Sequence, residues 1–397
     1  MASTHPQGPG SMVVSPSVKT IYAVAIFLGI VILAASLATN SERAWHAFVT
    51  GYFYFVSLAL GGLFFAAIQH LTKAGWSVNV RRISESFTAF LPFAALGAVG
   101  LFIGGPKLYE WFNSDLVASE ALLQHKAGYL NKGFFAIRLV LFISLWLWFA
   151  KILVGRSLAQ DTSKDPLLTV KSVGASIAFI LVFAFSYSFF AVDTLMSLEP
   201  RWFSTIFGVY CFAGLFQATM ATMILIILYL KKQGKLVGYV NENHLHDLGK
   251  FMFAFTVFWA YIAFSQYMLI WYANLPEETF FYIPRLEPGW VWVSISLLLF
   301  KFVIPFLALL PRWAKRTPGH LAAVSVLILV MQYVDIYWLV YPNYDAKKAV
   351  FGIPEIGGFI LFFGLFLYAV TRFLGKNELV PIGDPRLEES LHHHVTY

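Results

Sequence analysis

The stretch VWVSISLLLFKFVIPFLALL, Val291–Leu310, decides how this chain folds. It holds a single charge, Lys301, in an otherwise apolar run. About 20 such residues in an α-helix cross the hydrocarbon core of a bilayer. The run therefore predicts a membrane-spanning helix. Reading outward, nine more runs behave alike: Ile21–Leu37, Ala47–Leu71, Phe87–Phe102, Phe134–Leu153, Val173–Phe190, Phe207–Leu230, Phe251–Trp271, Leu321–Tyr341 and Gly357–Leu374. The expected fold is an all-α integral membrane protein with ten transmembrane helices.

Composition agrees. The chain is 59% hydrophobic and 12% charged, where a soluble domain carries about 25% charged residues. No alternation of the outer-membrane-barrel kind is present. The net charge of +7 would suggest nucleic acid on a soluble protein. Here the basic residues gather at helix ends, where they set orientation. With the sides assigned by alternation, eighteen Lys and Arg fall on the side of the N-terminus and eight on the other. Two more, Arg138 and Lys301, lie inside spans. The positive-inside rule then places both termini in the cytoplasm. Cys211 stands alone, so neither an intrachain disulfide, an Fe–S cluster nor a CxxCH haem attachment can be built. Met1 to Ser17 is polar, lacks a signal-peptide core and reads as a disordered tail. Residues 18–380 form the transmembrane domain and 381–397 a second cytoplasmic tail.

A faint repeat runs through the chain. Trp45, Gly51, Phe53 and Phe55 match Trp202, Gly208, Tyr210 and Phe212 at an offset of 157. The fourth and eighth spans each bury one cation, Arg138 and Lys301. This suggests two similar four-helix bundles, spans 2–5 and 6–9, with spans 1 and 10 outside. The copies would cover about 44–196 and 202–345. Chance similarity between aromatic-rich helices is the competing explanation.

Ionisable residues within spans are functional candidates, because inserting one costs about 2.5–3.5 kcal/mol at the helix centre. Lys301 lies about 16 Å into its span and Arg138 about 10 Å into its own. Asp335, Glu85 and Asp193 lie closer to span ends, and Gln217, Gln266, Gln332 and Tyr267 add polar groups between. Acids and bases at staggered depths suit half-channels for protons. They suit equally well a set of ion pairs that glue helices together. A membrane b-type haem would need histidines on two helices at one depth. His46 and His70 share one span and are separated by about 36 Å of rise, which argues against it. His46, close to Tyr52 and Tyr54, could hydrogen-bond a quinol headgroup or simply sit in an aromatic belt.

Two loops on the side opposite the termini carry specific features. Glu199, Pro200, Arg201 and Trp202 join spans 5 and 6, and Pro276, Glu277 and Glu278 follow span 7. Rigid acidic and aromatic loops suit docking of a peripheral partner, or are tight capped turns. MSLEPRWFSTIFG (Met196–Gly208), QYMLIWYANLPEETFFY (Gln266–Tyr282) and PIGDPRLEESLHHH (Pro381–His394) resemble the polysulfide-reductase NrfD-like membrane subunits of alternative complex III. Nearly the whole chain shares the resemblance, and its length and tail are most similar to the shorter of that complex's two such subunits.

The resemblance implies a membrane subunit of a quinol:electron-acceptor oxidoreductase in a bacterial plasma membrane. It implies two four-helix bundles with two flanking helices. The implied partners are the longer sister subunit, an iron–sulfur subunit, multihaem and monohaem c-type cytochromes, small membrane subunits and lipid. Quinol (menaquinol or similar), haem c and Fe–S clusters would belong to those partners, with no cofactor or metal bound by this chain. A proton path would use Arg138, Asp193, Lys301 and Asp335, with His70 and Glu85 on the cytoplasmic side. One position departs from the pattern: many relatives have His where Arg201 stands, and a fixed cation cannot shuttle protons near neutral pH. That directs quinol oxidation to the sister subunit, although His46, Tyr54 and Asp193 keep a site in this chain open. A secondary transporter also uses repeats and midplane polar groups. Against it, no pair of Gly- or Pro-broken spans occupies corresponding positions.

Overall fold

The computed structural model describes residues 8–394. Ten of its helices are long and apolar enough to cross a membrane: Pro16–Thr39, Ser41–Leu71, Gly75–Leu108, Lys132–Ser163, Pro166–Leu198, Phe207–Lys232, Glu242–Ala273, Val291–Leu309, Pro318–Asn343 and Ile353–Leu374. They are spans 1 to 10 below. No strand occurs among the described residues. The chain is an all-α multi-pass membrane protein.

Short polar side chains start several spans. Ser15, Asn40, Asn131, Asp165 and Asn241 accept backbone N–H groups at the heads of spans 1, 2, 4, 5 and 7, the arrangement that satisfies otherwise orphaned donors. Pro16, Pro166 and Pro318 occupy first turns, where a missing N–H costs nothing. Lys164, with φ +52°, turns span 4 directly into the cap of span 5.

Spans 2–5 form one four-helix bundle and spans 6–9 another. The bundles meet where spans 2 and 5 pack on span 6 and span 2 on span 9. Span 2 is thereby buried along nearly all its length, whereas spans 1 and 8 are mostly exposed. Spans 1 and 10 pack on each other and on span 2, outside both bundles. Lipid gives no hydrophobic drive between helices, so close backbone approach does the work. At the crossing of spans 2 and 10 a Cβ on Gly51 would lie 2.5 Å from the carbonyl oxygen of Gly358. Only glycine fits there.

Most spans run longer than the sequence reading gave, and the largest differences lie in span 3 and the two tails. Span 3 begins at Gly75, not Phe87. Its first helical stretch, Val78–Phe87, contains Arg81, Arg82 and Glu85 and is nevertheless fully buried, because Glu85 itself and carboxylates from two other segments, Asp161 and Asp384, neutralise the arginines. The tail read as disordered through Ser17 is held from Gly8 onward. Gly10 N–H donates to Glu378 Oε2 (2.9 Å), Met12 N–H donates to Leu374 O (2.9 Å), and Met12 is buried. Residues 1–7 lie outside the described residues. The C-terminal tail also folds back. Its helix Leu387–Leu391 docks beside Trp76, with Ser390 Oγ donating to Trp76 O (2.7 Å) and accepting from Asn79 N–H (3.1 Å).

Candidate functional site

In the second bundle every helix contributes to a single buried cluster. Lys301 of span 8 donates to Asp335 Oδ2 and to Gln332 Oε1 (2.7 Å), both on span 9. Tyr210 of span 6 donates to Asp335 Oδ1, and Trp259 Nε1 of span 7 donates to Asp335 Oδ2 (3.1 Å). The Lys301 ammonium also lies 4.3 Å from the centroid of the Trp259 ring, a cation–π contact. Lys301 is wholly buried and Asp335 nearly so, so neither charge snorkels to water. Around Lys301 the helix widens to a π-turn over Leu297–Val303, in which Ile304 N–H reaches back to Leu299 O. Pro305 has no N–H to return to the Lys301 carbonyl, which is where such a turn forms most easily.

The first bundle holds a pair on the corresponding helices, its third and fourth. Arg138 of span 4 grips Asp193 of span 5 through Nε–Oδ2 (2.7 Å) and Nη2–Oδ1 (3.0 Å). Its remaining donor side bonds Tyr129 O at 2.9 Å, and the guanidinium stacks 3.8 Å from the Tyr129 ring. Both members are buried. The acid that pairs with each intramembrane cation, open in the sequence, is thus Asp335 for Lys301 and Asp193 for Arg138. Glu85 pairs with neither.

Glu85 belongs to a third cluster, on the face that carries both termini. It accepts from Arg81 Nε (3.3 Å) and Ser157 Oγ (2.9 Å), and forms an ion pair with Arg82 at 3.0 Å. Arg81 also binds Asp384 of the C-terminal tail at 2.6 Å, and Arg82 binds Asp161 of span 4 at 2.8 Å. Burial would raise the Asp384 carboxyl, but the Arg81 charge, the Arg386 N–H and the Arg81 hydrogen bond overcome it and hold the group at about 2. His70 is buried nearby, and its Nδ1 has no hydrogen-bond partner among the described residues. Arg81, Arg82, Asp161 and Asp384 were not read as site residues. The available signal was the i,i+3 and i,i+4 spacing of Arg82, Arg81 and Glu85, which makes a charge cluster on one helix face. Tyr210 enters the sequence reading only as the repeat match of Phe53, and Trp259 not at all.

Polar side chains also line the bundle interiors between these clusters. On span 5, Ser186 and Tyr187 lie toward Asp193, and Thr169, Ser172 and Ser176 toward the termini face. Tyr187 Oη meets Ser57 Oγ at 3.0 Å, and Trp146 Nε1 donates to Ser186 Oγ at 2.9 Å. Between the two polar sets Phe179 and Phe183 fill about 15 Å of helix. In the second bundle Gln217 donates to Thr256 Oγ1 (2.8 Å), and its Oε1 has no partner among the described residues.

The two quinone candidates do not meet. His46 bonds back to Glu42 O through Nδ1 (2.8 Å) and sits against Tyr341 and Tyr344. Tyr54, two helical turns along, donates to Leu329 O (3.1 Å) and lines a ≈ 380 Å³ cavity between spans 2, 9 and 10. His46 is not among that cavity's lining residues. Glu355, which the sequence reading passed over, does line it, and Arg43 holds it at 2.7 and 2.8 Å.

The loops opposite the termini are tied mostly to each other. Arg201 binds Glu110 (2.7 Å), Glu120 (2.9 Å) and Glu199 (3.6 Å). Trp202, read as a docking residue, is buried and stacks 3.8 Å from Phe281, so it offers no surface. Glu277 is exposed and Glu278 half-buried. Among the described residues no three His, Cys, Asp or Glu side chains converge as a metal site. Compared with known proteins, the chain matches no family model, and no curated protein matches it.

Proposed function

We propose that this chain is a proton-conducting membrane subunit of a quinol-oxidising electron-transfer complex. The observation that carries the reading is the Lys301–Asp335–Tyr210–Trp259 cluster, one group from each helix of a bundle, buried in lipid where charge is expensive. A buried pair is neutral as a unit. A proton that reaches Asp335 leaves the Lys301 ammonium uncompensated, a state that costs about 3–5 kcal/mol. The pair therefore passes the charge on, with Gln332 and Tyr210 as the neighbouring hydrogen-bond partners. Arg138 and Asp193 would act likewise in the first bundle, and the Glu85 cluster would exchange protons with the termini face.

Membership of a redox complex rests on the resemblance to NrfD-like subunits of alternative complex III. In this reading electrons leave quinol through iron–sulfur and c-type haem subunits docked opposite the termini, and the longer sister subunit oxidises quinol. The chain alone is not catalytic. The excess of basic residues beside the termini supports a bacterial plasma membrane location with both termini cytoplasmic.

One observation favours a second reading. Lys301, Arg138, Arg81 and Arg82 all find carboxylates within the chain, as helix glue would. Purification of the tagged chain from its native membrane tests complex membership. Quinol oxidation, c-type haem and Fe–S signals that co-purify support the proposal. A chain that purifies from well-preserved membranes without any of the three overturns it.

A further inference from the structure

A cavity of ≈ 460 Å³ lies between spans 7 and 8, within the size range of ligand sites. Phe264 and Leu298 on its walls, and Leu286 at its end, are exposed on the outer surface of the bundle. The cavity therefore opens sideways to the bilayer, where the molecules on offer are amphiphiles. Its inner wall includes Tyr210 and Trp259, whose O–H and N–H are turned to Asp335. Tyr282 Oη is engaged by Gln266 Nε2 (3.1 Å). The cavity thus meets mostly apolar faces of these rings, which suits a hydrocarbon chain.

Arg285 differs. It lines the end of the cavity opposite the termini, on the short helix Ile283–Leu286, and is 2% exposed. Its donors go only to backbone carbonyls: Nε to Trp338 O (3.3 Å), Nη1 to Phe281 O (2.5 Å) and Nη2 to Leu339 O (3.1 Å). A guanidinium has five N–H groups, so two remain. The other buried guanidiniums, Arg81, Arg82 and Arg138, each bind a carboxylate. No carboxylate lies within ion-pair distance of Arg285 among the described residues, and burial pushes its pKa down to about 9. A buried cation without a counter-ion is costly, and a basic pocket between transmembrane helices is the kind of place where anionic headgroups bind.

We infer that this cavity seats one acyl chain of an anionic phospholipid whose phosphate is the counter-ion of Arg285. A seated chain keeps water from the outer faces of Tyr210 and Trp259, and so from the Lys301–Asp335 pair behind them. The inference does not depend on the proposed function.

Native mass spectrometry of the purified chain in detergent tests it, with phosphatidylglycerol and phosphatidylcholine of identical acyl chains as probes. Wild type is expected to retain phosphatidylglycerol about fivefold better, the effect of roughly 1 kcal/mol per basic side chain. Arg285→Gln should bind both lipids equally. Ala263→Phe, on the half-buried cavity wall, should lose both while leaving Arg285 in place, and it decides the matter if Arg285→Gln does not fold. Inorganic phosphate should not displace the lipid. Equal retention of the two lipids by wild type, unchanged preference in Arg285→Gln, undiminished binding in Ala263→Phe, or displacement by phosphate alone would overturn the inference.

Discussion

Arg138 and Asp193 are joined by two parallel contacts, Nε–Oδ2 at 2.7 Å and Nη2–Oδ1 at 3.0 Å, across spans 4 and 5. This fork-to-fork geometry is the strongest form of ion pair, and both partners are buried. Breaking it from one side leaves a charge with no counter-ion. Arg138→Met alone and Asp193→Leu alone should each lower stability by about 3–5 kcal/mol. The double variant should cost clearly less than the two together, because it removes both charges. Reversible unfolding in mixed micelles measures the cycle. Additive single costs would mean the pair is not coupled.

The C-terminal tail is fastened by Asp384. Its folded pKa of about 2 lies below the usual carboxylate value, so the ionised form is the one that the folded state favours. The stabilisation is therefore fully present above about pH 4 and is lost as pH falls through about 2. The shift corresponds to roughly 2 kcal/mol. Asp384→Asn should speed amide hydrogen exchange over residues 384–391 at neutral pH, where wild type is protected. Acidification toward pH 2 should lower the protection of the same residues in wild type, relative to the intrinsic exchange rate at that pH, and change the variant's protection little.

The crossing of spans 2 and 10 tolerates no side chain at Gly51, whose Cβ would meet Gly358 O at 2.5 Å. Gly51→Val should cost about 1–3 kcal/mol through overpacking. The thermal midpoint of the detergent-solubilised chain reports it. Gly128→Ala, where a Cβ meets nothing within 4 Å, is the matched control and should change the midpoint little.

The spans were legible because lipid demands unbroken apolar runs, and Lys301 stood out by its depth. Four things were hidden. The start of span 3 was masked by Arg81 and Arg82, since hydropathy counts charges and cannot see that Asp161 and Asp384 neutralise them. The N-terminal tail reads as disordered because its composition is polar. The docking of both tails comes from long-range contacts, such as that of Gly383 with Gln160, where a Cβ would lie 1.8 Å from the carbonyl oxygen. Partner choice was hidden as well. Asp335 and Glu85 were equal candidates for Lys301 until helix packing placed span 9 beside span 8. Trp202 carried a polar neighbourhood in sequence and a stacked, buried ring in space.

The central claim is that the buried pairs carry protons rather than only join helices. The most direct measurement is proton release per quinol oxidised, by the native complex reconstituted in proteoliposomes, with Lys301→Met and Asp335→Asn against wild type. The account expects electron transfer to persist while the proton yield falls in both variants. An unchanged proton yield in assembled, active complexes would contradict it and leave Lys301 and Asp335 as helix glue.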